Sequence, residues 1–359
     1  KMSDSLKTTL YNYHDELGAK LVPFAGFLMP LQYTGIIDEH KHVRSKVGLF
    51  DVSHMGEFIV SGDNAKKFLQ NVTINDIELL KPGKAQYSAF CNESGGILDD
   101  LLIYDLSDHY MLVVNASNIQ KNFNWLQNRL FDNVVLKDVS NDMGLLAIQG
   151  PMARDILKDF FPKIESLKYY ETLMPNSDGT IVARTGYSGE LGFEIYISND
   201  KIIDLWNKLL IASDFIRPVG LGCRDSLRLE MGYCLYGHEL DESINPIEAG
   251  LSWITKFDTG FIGSESLSNL KIEKKLVPLV LKDRAIPRAD YKIFDDNDKE
   301  IGFISSGAMS PSLGYGIALA YIDMPYAKDL NSFKVKIRNN IFTMKKAKLP
   351  FYKNGTYLK

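Results

Sequence analysis

Four stretches of this 359-residue sequence gather side chains that could do chemistry. The first is Gly95-Gly96-Ile97-Leu98-Asp99-Asp100-Leu101, two glycines suited to a sharp hairpin turn followed by adjacent acids at the mouth of an apolar strand. Side chains alternate along a strand, so the two acids face opposite ways, and one can reach solvent while the other points inward. An inward carboxylate is costly unless it binds something. A turn-flanking acid that caps backbone donors fits the same string, and the string alone leaves both readings open. The second stretch, Arg184-Thr185-Gly186-Tyr187-Ser188-Gly189-Glu190-Leu191-Gly192-Phe193-Glu194, has glycines that leave room for a tight turn or a closely approaching ligand. Its spacing is not that of a dinucleotide fingerprint, and a strand follows it where that motif needs a helix. Glu194 can accept a two-donor, amidine-like edge, or it is an exposed acid beside a glycine-rich hairpin. In the third, Cys223-Arg224-Asp225-Ser226-Leu227-Arg228-Leu229-Glu230, the arginines stand one helical turn apart and can clamp a carboxylate. Read alone, this segment fits an ordinary salt-bridged helix better. The fourth, Asn245-Pro246-Ile247-Glu248-Ala249-Gly250-Leu251-Ser252-Trp253, reads as a turn into an apolar segment, with Trp253 expected in core packing or, less simply, as the wall of a ring-binding pocket.

Other chemistries lack their residues. His40 and His42 are two apart and cannot share a helical face, while His14, His54, His109 and His238 are scattered. No His/Cys spacing typical of zinc, no Ser-His-Asp signature and no P-loop occurs, so no metal is expected. Cys91, Cys223 and Cys234 form no C-x-x-C pair, and their odd number argues against a disulfide framework and for a reducing compartment. The formal net charge of -4, without a Lys/Arg block, excludes nucleic acid as a default partner. No apolar run is long enough for a membrane span. The polar Lys1–Thr9 stretch lacks a signal-peptide core, so the expectation is a soluble cytoplasmic protein, or a mitochondrial matrix protein whose transit peptide has been removed.

The elements that must position these residues can be read from periodicity. Leu6, Leu10, Tyr13 and Leu17 predict a first helix, capped by Ser3 or Asp4 and ended by Gly18. A strand at Glu57–Val60, a helix at Ala65–Val72 capped by Asp63, strands at Ala85–Cys91, Leu98–Tyr104 and Tyr110–Asn115, a helix at Asn118–Leu130 and a strand at Val134–Val139 follow. The order then recurs: a strand at Leu145–Ile148, a helix opening at Pro151, strands at Leu167–Leu173, Thr180–Arg184 and Phe193–Ile197, a helix at Lys201–Ile211 and a short strand near Arg217. Each half reads as a ferredoxin-like unit. After a charged linker at Lys271–Lys275, short alternating segments at Leu276–Leu281, Tyr291–Phe294, Ile301–Ser305, Ile317–Tyr321 and Phe333–Ile337 predict an all-β module, barrel-like or sandwich-like.

Taken together and in this order, these stretches resemble the glycine cleavage T-protein family. Leu49-Phe50-Asp51-Val52-Ser53-His54-Met55, Cys234-Leu235-Tyr236-Gly237 and Ser306-Gly307-Ala308-Met309-Ser310-Pro311-Ser312-Leu313 add to the likeness, which covers nearly the whole chain. The resemblance implies an α+β, three-lobed cloverleaf around a central folate site. One α/β lobe would comprise residues 1–55 and 140–270, a second residues 56–139, and a C-terminal β-barrel lobe residues 271–359. It implies an aminomethyltransferase that takes the one-carbon unit from the lipoyl arm of H-protein to tetrahydrofolate, with both as partners. By the same resemblance Asp100 is the catalytic acid, Glu194 grips the pterin, Arg224 meets the anionic tail of the folate, Tyr87, Tyr104 and Tyr187 surround it, and Met55 walls the pocket. Arg228 is the more structural of the two arginines. Family members often carry lysine where Ser264 stands, and a lysine pair where Gly314-Tyr315 stand, differences that bear on partner contact rather than chemistry. The tail from Asn354 to Lys359 is hard to align, and Tyr357 receives no role. The rival readings are another folate-dependent enzyme of the superfamily, such as a dimethylsulfoniopropionate demethylase, and a non-catalytic folate-binding factor for iron–sulfur assembly.

Overall fold

The computed structural model describes residues 5–174 and 177–359. In chain order, helix α1 (Tyr11–Glu16), strands β1 (Lys20–Phe24) and β2 (Phe27–Gln32), helix α2 (Ile36–Ser45) and strand β3 (Val47–Asp51) form an N-terminal portion. Next come β4 (Gly56–Ser61), α3 (Ala65–Val72), β5 (Lys84–Cys91), β6 (Ile97–Asp105), β7 (Tyr110–Val114), α4 (Ile119–Gln127) and β8 (Val135–Asp138). They are followed by β9 (Met143–Gln149), α5 (Ala153–Leu157), β10 (Thr172–Leu173), β11 (Ile181–Ala183), β12 (Gly192–Ser198), α6 (Asn199–Ala212) and β13 (Ile216–Pro218). Helices α7 (Leu221–Met231) and α8 (Ser264–Asn269) lead to β14 (Lys274–Leu281), β15 (Lys292–Phe294), β16 (Glu300–Met309), β17 (Gly316–Asp323), α9 (Tyr326–Asp329), β18 (Ser332–Ile337) and β19 (Asn340–Lys346).

The repeat read from the sequence is present in the topology. One sheet runs β5-β6-β7-β4-β8, and the other runs β10-β11-β12-β9-β3-β13. The two orders correspond strand for strand, except that β3 inserts between β9 and β13. Strand alternation gives each sheet two apolar faces. On the outer face of the five-stranded sheet, Leu101, Ile103, Leu112 and Val114 pack under Phe68 and Leu69 of α3 and Leu126 of α4. On the outer face of the six-stranded sheet, Leu146, Ile148, Phe193 and Ile195 pack under Leu157 of α5 and Trp206 of α6. The inner faces meet through Leu102, Tyr104, Met111 and Val113 from one sheet and Leu145, Ala147, Ala183 and Tyr196 from the other. The C-terminal strands close a six-stranded barrel, β14-β17-β16-β15-β18-β19, around a core that includes Leu279, Ile293, Ile304, Ala320 and Val335. The fold is α+β, and of the two alternatives for the C-terminal module the barrel is the one formed.

Several local expectations change. The first helix starts only at Tyr11, because Leu6 pairs with Phe27 in an isolated parallel bridge beside the β1–β2 hairpin; its proposed caps Ser3 and Asp4 lie outside the described residues. Asp63 does not cap α3: Asn64 holds the N-cap position, and its amide donates to the Asp132 carbonyl at 2.7 Å. The predicted strand at Leu167–Leu173 shrinks to Thr172–Leu173, since Tyr170 sits at φ +67°, a conformation that ends extended backbone. Two of the five residues of the expected Lys271–Lys275 linker already belong to β14.

Candidate active site

The β5–β6 hairpin places the paired acids. Asn92 Oδ1 accepts from the backbone N–H groups of Ser94 and Gly96 at 3.0 and 2.9 Å, which closes the turn. Gly95 has φ +88°, and a Cβ on Gly96 would lie 1.9 Å from the Glu242 carbonyl oxygen, so both glycines are needed for the turn to seat against residues 240–267. Lys121 fastens the same corner by donating to the Leu98 carbonyl at 2.8 Å and to the Tyr236 hydroxyl at 2.9 Å.

Asp99 and Asp100 face opposite sides of the sheet, as alternation requires, but neither points to bulk solvent. Asp99 is fully buried on the helix-covered face, where it accepts hydrogen bonds from Asn115, Asn118 and Asn122. Asp100 lies on the inner face and borders a cavity of about 1250 Å³ between the two sheets, α7 and the barrel. Tyr87 Oη donates to its Oδ2 at 2.8 Å, and Asn115 Nδ2 donates to its Oδ1 at 2.8 Å. Burial pushes the Asp100 carboxyl above its ordinary value, against the pull of those two donors. Burial raises Asp99 as well, and the neighbouring charge of Asp100 adds to it.

The glycine-rich stretch forms the opposite wall. Cβ atoms on Gly186 and Gly192 would come within 2.1 and 2.3 Å of the Gln149 side chain, which occupies the middle of the loop. Gln149 accepts from Ser188 Oγ at 2.7 Å and donates to the Thr185 carbonyl at 3.3 Å. From outside, Arg44 grips Glu190 at 2.9 Å and Glu230 at 2.7 Å, and Thr356 Oγ1 reaches Glu190 Oε2 at 2.5 Å. Glu194, on β12, faces the cavity; Thr185 Oγ1 donates to its Oε2 at 2.6 Å, while Oε1 accepts no hydrogen bond among the described residues. Tyr187 packs between the Tyr233 ring, 5.7 Å away centroid to centroid, and the Arg224 guanidinium, 4.8 Å from its ring centre.

The two arginines of α7 differ. Arg228 is buried and saturated: it meets Asp225 and Glu239, each at 2.8 Å, the Tyr233 carbonyl at 2.9 Å and Ser306 at 2.9 Å. Arg224 borders the cavity and makes no ion pair among the described residues. The structure therefore brings Asp100, Glu194, Arg224, Tyr87, Tyr187 and Met55 to one cavity. Tyr104 is the exception. It is fully buried behind the wall, with its hydroxyl 2.9 Å from that of Tyr196 and 3.3 Å from Thr185 Oγ1. Tyr196, not Tyr104, borders the cavity at this place. Among the described residues no group of three His, Cys, Asp or Glu side chains is placed to hold a metal ion, and no helix is long and apolar enough to cross a membrane.

The family model of the GCVT N-terminal domain matches residues 10–259, and that of the glycine cleavage T-protein C-terminal barrel domain matches residues 274–353. The chain belongs to the glycine cleavage T-protein family. An aminomethyltransferase of Flavobacterium psychrophilum is 46% identical over 96% of this chain and 99% of that protein. One of Chloroherpeton thalassium is 49% identical over 96% and 98%. The crystal structure of the glycine cleavage system aminomethyltransferase T from Bartonella henselae superposes with a TM-score of 0.93 at 34% identity, covering 99% of each chain. Membership accounts for the α+β architecture with its terminal barrel, and neither rival reading finds support among these relatives.

Within this T-protein frame, sequence reasoning favoured the wrong one of two readings for Trp253 and missed two further cavity residues. Trp253 is 64% exposed and stacks near Tyr87, with ring centres 6.2 Å apart at 24°, so the expectation of core packing was wrong. His54 borders the cavity with Nδ1 buried and without a hydrogen-bond partner among the described residues, and burial lowers its imidazole to about 4, so it is neutral at physiological pH. Asn115 was passed over as the last residue of a predicted strand; it stands in extended conformation just before the turn that opens α4.

Proposed function

We propose that this chain is the aminomethyltransferase of a glycine cleavage system, acting on lipoylated H-protein and tetrahydrofolate. The observation that carries the reading is the cavity itself, where acids from two sheets and an arginine without an anionic partner among the described residues line one volume of about 1250 Å³. That exceeds the ~300–1,000 Å³ of a site for one small ligand, which suits a folate together with the end of a swinging arm.

In this reading the pterin offers its two-donor edge to Glu194, whose Oε1 is free to accept. Arg224 meets the anionic tail, and Tyr187 holds that guanidinium in place by stacking. Tyr87, Met55 and Trp253 give apolar walls, and Tyr104 supports Glu194 indirectly through Thr185. Asp100 faces the reacting nitrogens, where its carboxylate orients them and stabilises the cationic carbon that develops as sulfur leaves. The balance is complete without an added redox partner. The carbon loses its bonds to sulfur and to the amino nitrogen and gains bonds to N5 and N10 of tetrahydrofolate. The two protons displaced from those nitrogens end on the dihydrolipoyl thiol and on ammonia. The bacterial relatives support a cytoplasmic setting.

The test is ammonia release from aminomethylated H-protein, measured with and without tetrahydrofolate. Fast release that requires both partners is expected. Release at the same rate without tetrahydrofolate would overturn the reading.

A further inference from the structure

We propose that Asp99 is a positioning residue for Asp100, acting through the amide of Asn115. The proposal rests on the reading of Asp100 given above.

Asp99 is fully buried on the face of β6 that looks away from the cavity, so it touches no ligand. Its Oδ1 accepts from Asn115 Nδ2 and Asn118 Nδ2, both at 2.8 Å. Its Oδ2 accepts from Asn122 Nδ2 at 2.5 Å and from the Asn115 backbone N–H at 3.1 Å. Asn118 and Asn122 belong to the turn that opens α4 and to its first residues, so the grip ties β6 to a rigid helix.

Asn115 is the only one of the three asparagines that also reaches Asp100. Its Nδ2 stands 2.8 Å from an oxygen of each acid. An amide nitrogen carries two protons, and here each has one carboxylate to meet. Turning the amide over would set its carbonyl oxygen against acceptor oxygens of both acids and would leave each acid without the Asn115 donor it now has. Asp99 thereby fixes which end of Asn115 faces Asp100. It also holds that donor in place from behind, on the side that no ligand occupies. Without Asp99 one of the amide's two anchors is gone, and Asp100 retains only Tyr87 as a fixed donor.

Catalytic groups tolerate little misplacement, and an ångström of drift costs on the order of a hundredfold in rate. Asp99→Asn keeps the shape but sets an amide among donors. It is expected to lower kcat about fivefold or more while the KM for tetrahydrofolate stays within about twofold. Because Asp99 acts through Asn115, the double variant with Asn115→Ala should lose no more kcat than the worse single variant. Losses that multiply, or a wild-type kcat in Asp99→Asn, would overturn the proposal. If Asp99→Asn does not fold, Asn122→Ala removes one anchor of Asp99 without touching Asn115 or Asp100. It should lower kcat about twofold to threefold at unchanged KM, and an unchanged kcat there rejects the idea. Asp100→Asn run alongside separates the two claims. Normal turnover in that variant sinks the reading of Asp100 itself. Loss of turnover there with intact turnover in Asp99→Asn sinks only the role of Asp99.

Discussion

The five-stranded and six-stranded sheets share one order of strands and helices, yet they deliver their acids to the cavity in different states. Asp100, from the first, has a donor on each oxygen and a second acid directly behind it. Glu194, from the second, has one oxygen engaged by Thr185 and the other open among the described residues. A carboxylate held from both sides is fixed in direction, as a group must be if it is to act on developing charge. One with an open oxygen retains capacity to accept from a ligand. The same architecture has thus produced one acid suited to chemistry and one suited to recognition.

Two substitutions can break this comparison. Asp100→Asn should leave the fold and most of the tetrahydrofolate affinity intact and cut turnover by about tenfold or more, measured as ammonia release at saturating H-protein. Near-normal turnover would remove Asp100 from the chemistry. Glu194→Ala should do the reverse. A charge-assisted hydrogen bond contributes roughly 1.5–3 kcal/mol, so the dissociation constant for tetrahydrofolate should rise about tenfold or more, with a smaller change in turnover at saturating folate. Titration calorimetry reads this directly, and an unchanged affinity would show that the pterin edge lies elsewhere.

How far this division could be read from the sequence depends on what each residue's neighbours are. Asp100 and Glu194 stand out as acids in otherwise apolar strands flanked by glycines, and the two-sheet repeat follows from the periodicity of the elements. The segment from Lys20 to Asp51 carried no such signal: β1 and β2 each contain a proline, and β3 is buried throughout, so none of the three alternates cleanly. Alternation separated Asp99 from Asp100, but it could not show that the outward face is roofed by α4, because helix packing is a tertiary fact. Tyr104 and Trp253 exchanged their expected places for the same reason. Both are aromatic residues in apolar runs, and only tertiary packing, of the sheets around Tyr104 and of the segment after α7 around Trp253, decides which is sealed in and which meets the cavity. Gln149 organises the glycine loop from the end of a neighbouring strand, a contact invisible to spacing along the chain.

A third acid sharpens the comparison because it has neither kind of support. Glu57, on β4 of the five-stranded sheet, is fully buried, and both its oxygens lack a hydrogen-bond partner among the described residues. Burial, with the charge of Asp138 adding to it, holds its pKa well above the ordinary glutamate value. The folded chain therefore binds a proton more tightly than the unfolded one. The stability this represents is fully present below the unfolded pKa of about 4.3 and is lost as pH rises from there toward the folded value. Glu57→Gln keeps the volume and has nothing to titrate. It should match the wild type near pH 4 and become the more stable protein toward pH 8, by about 1.4 kcal/mol for each pKa unit by which folding raises Glu57. Urea unfolding at the two pH values measures the difference. A gap that does not widen with pH would mean that Glu57 stays charged beside a partner, and that it belongs with Asp100 rather than apart from both cavity acids.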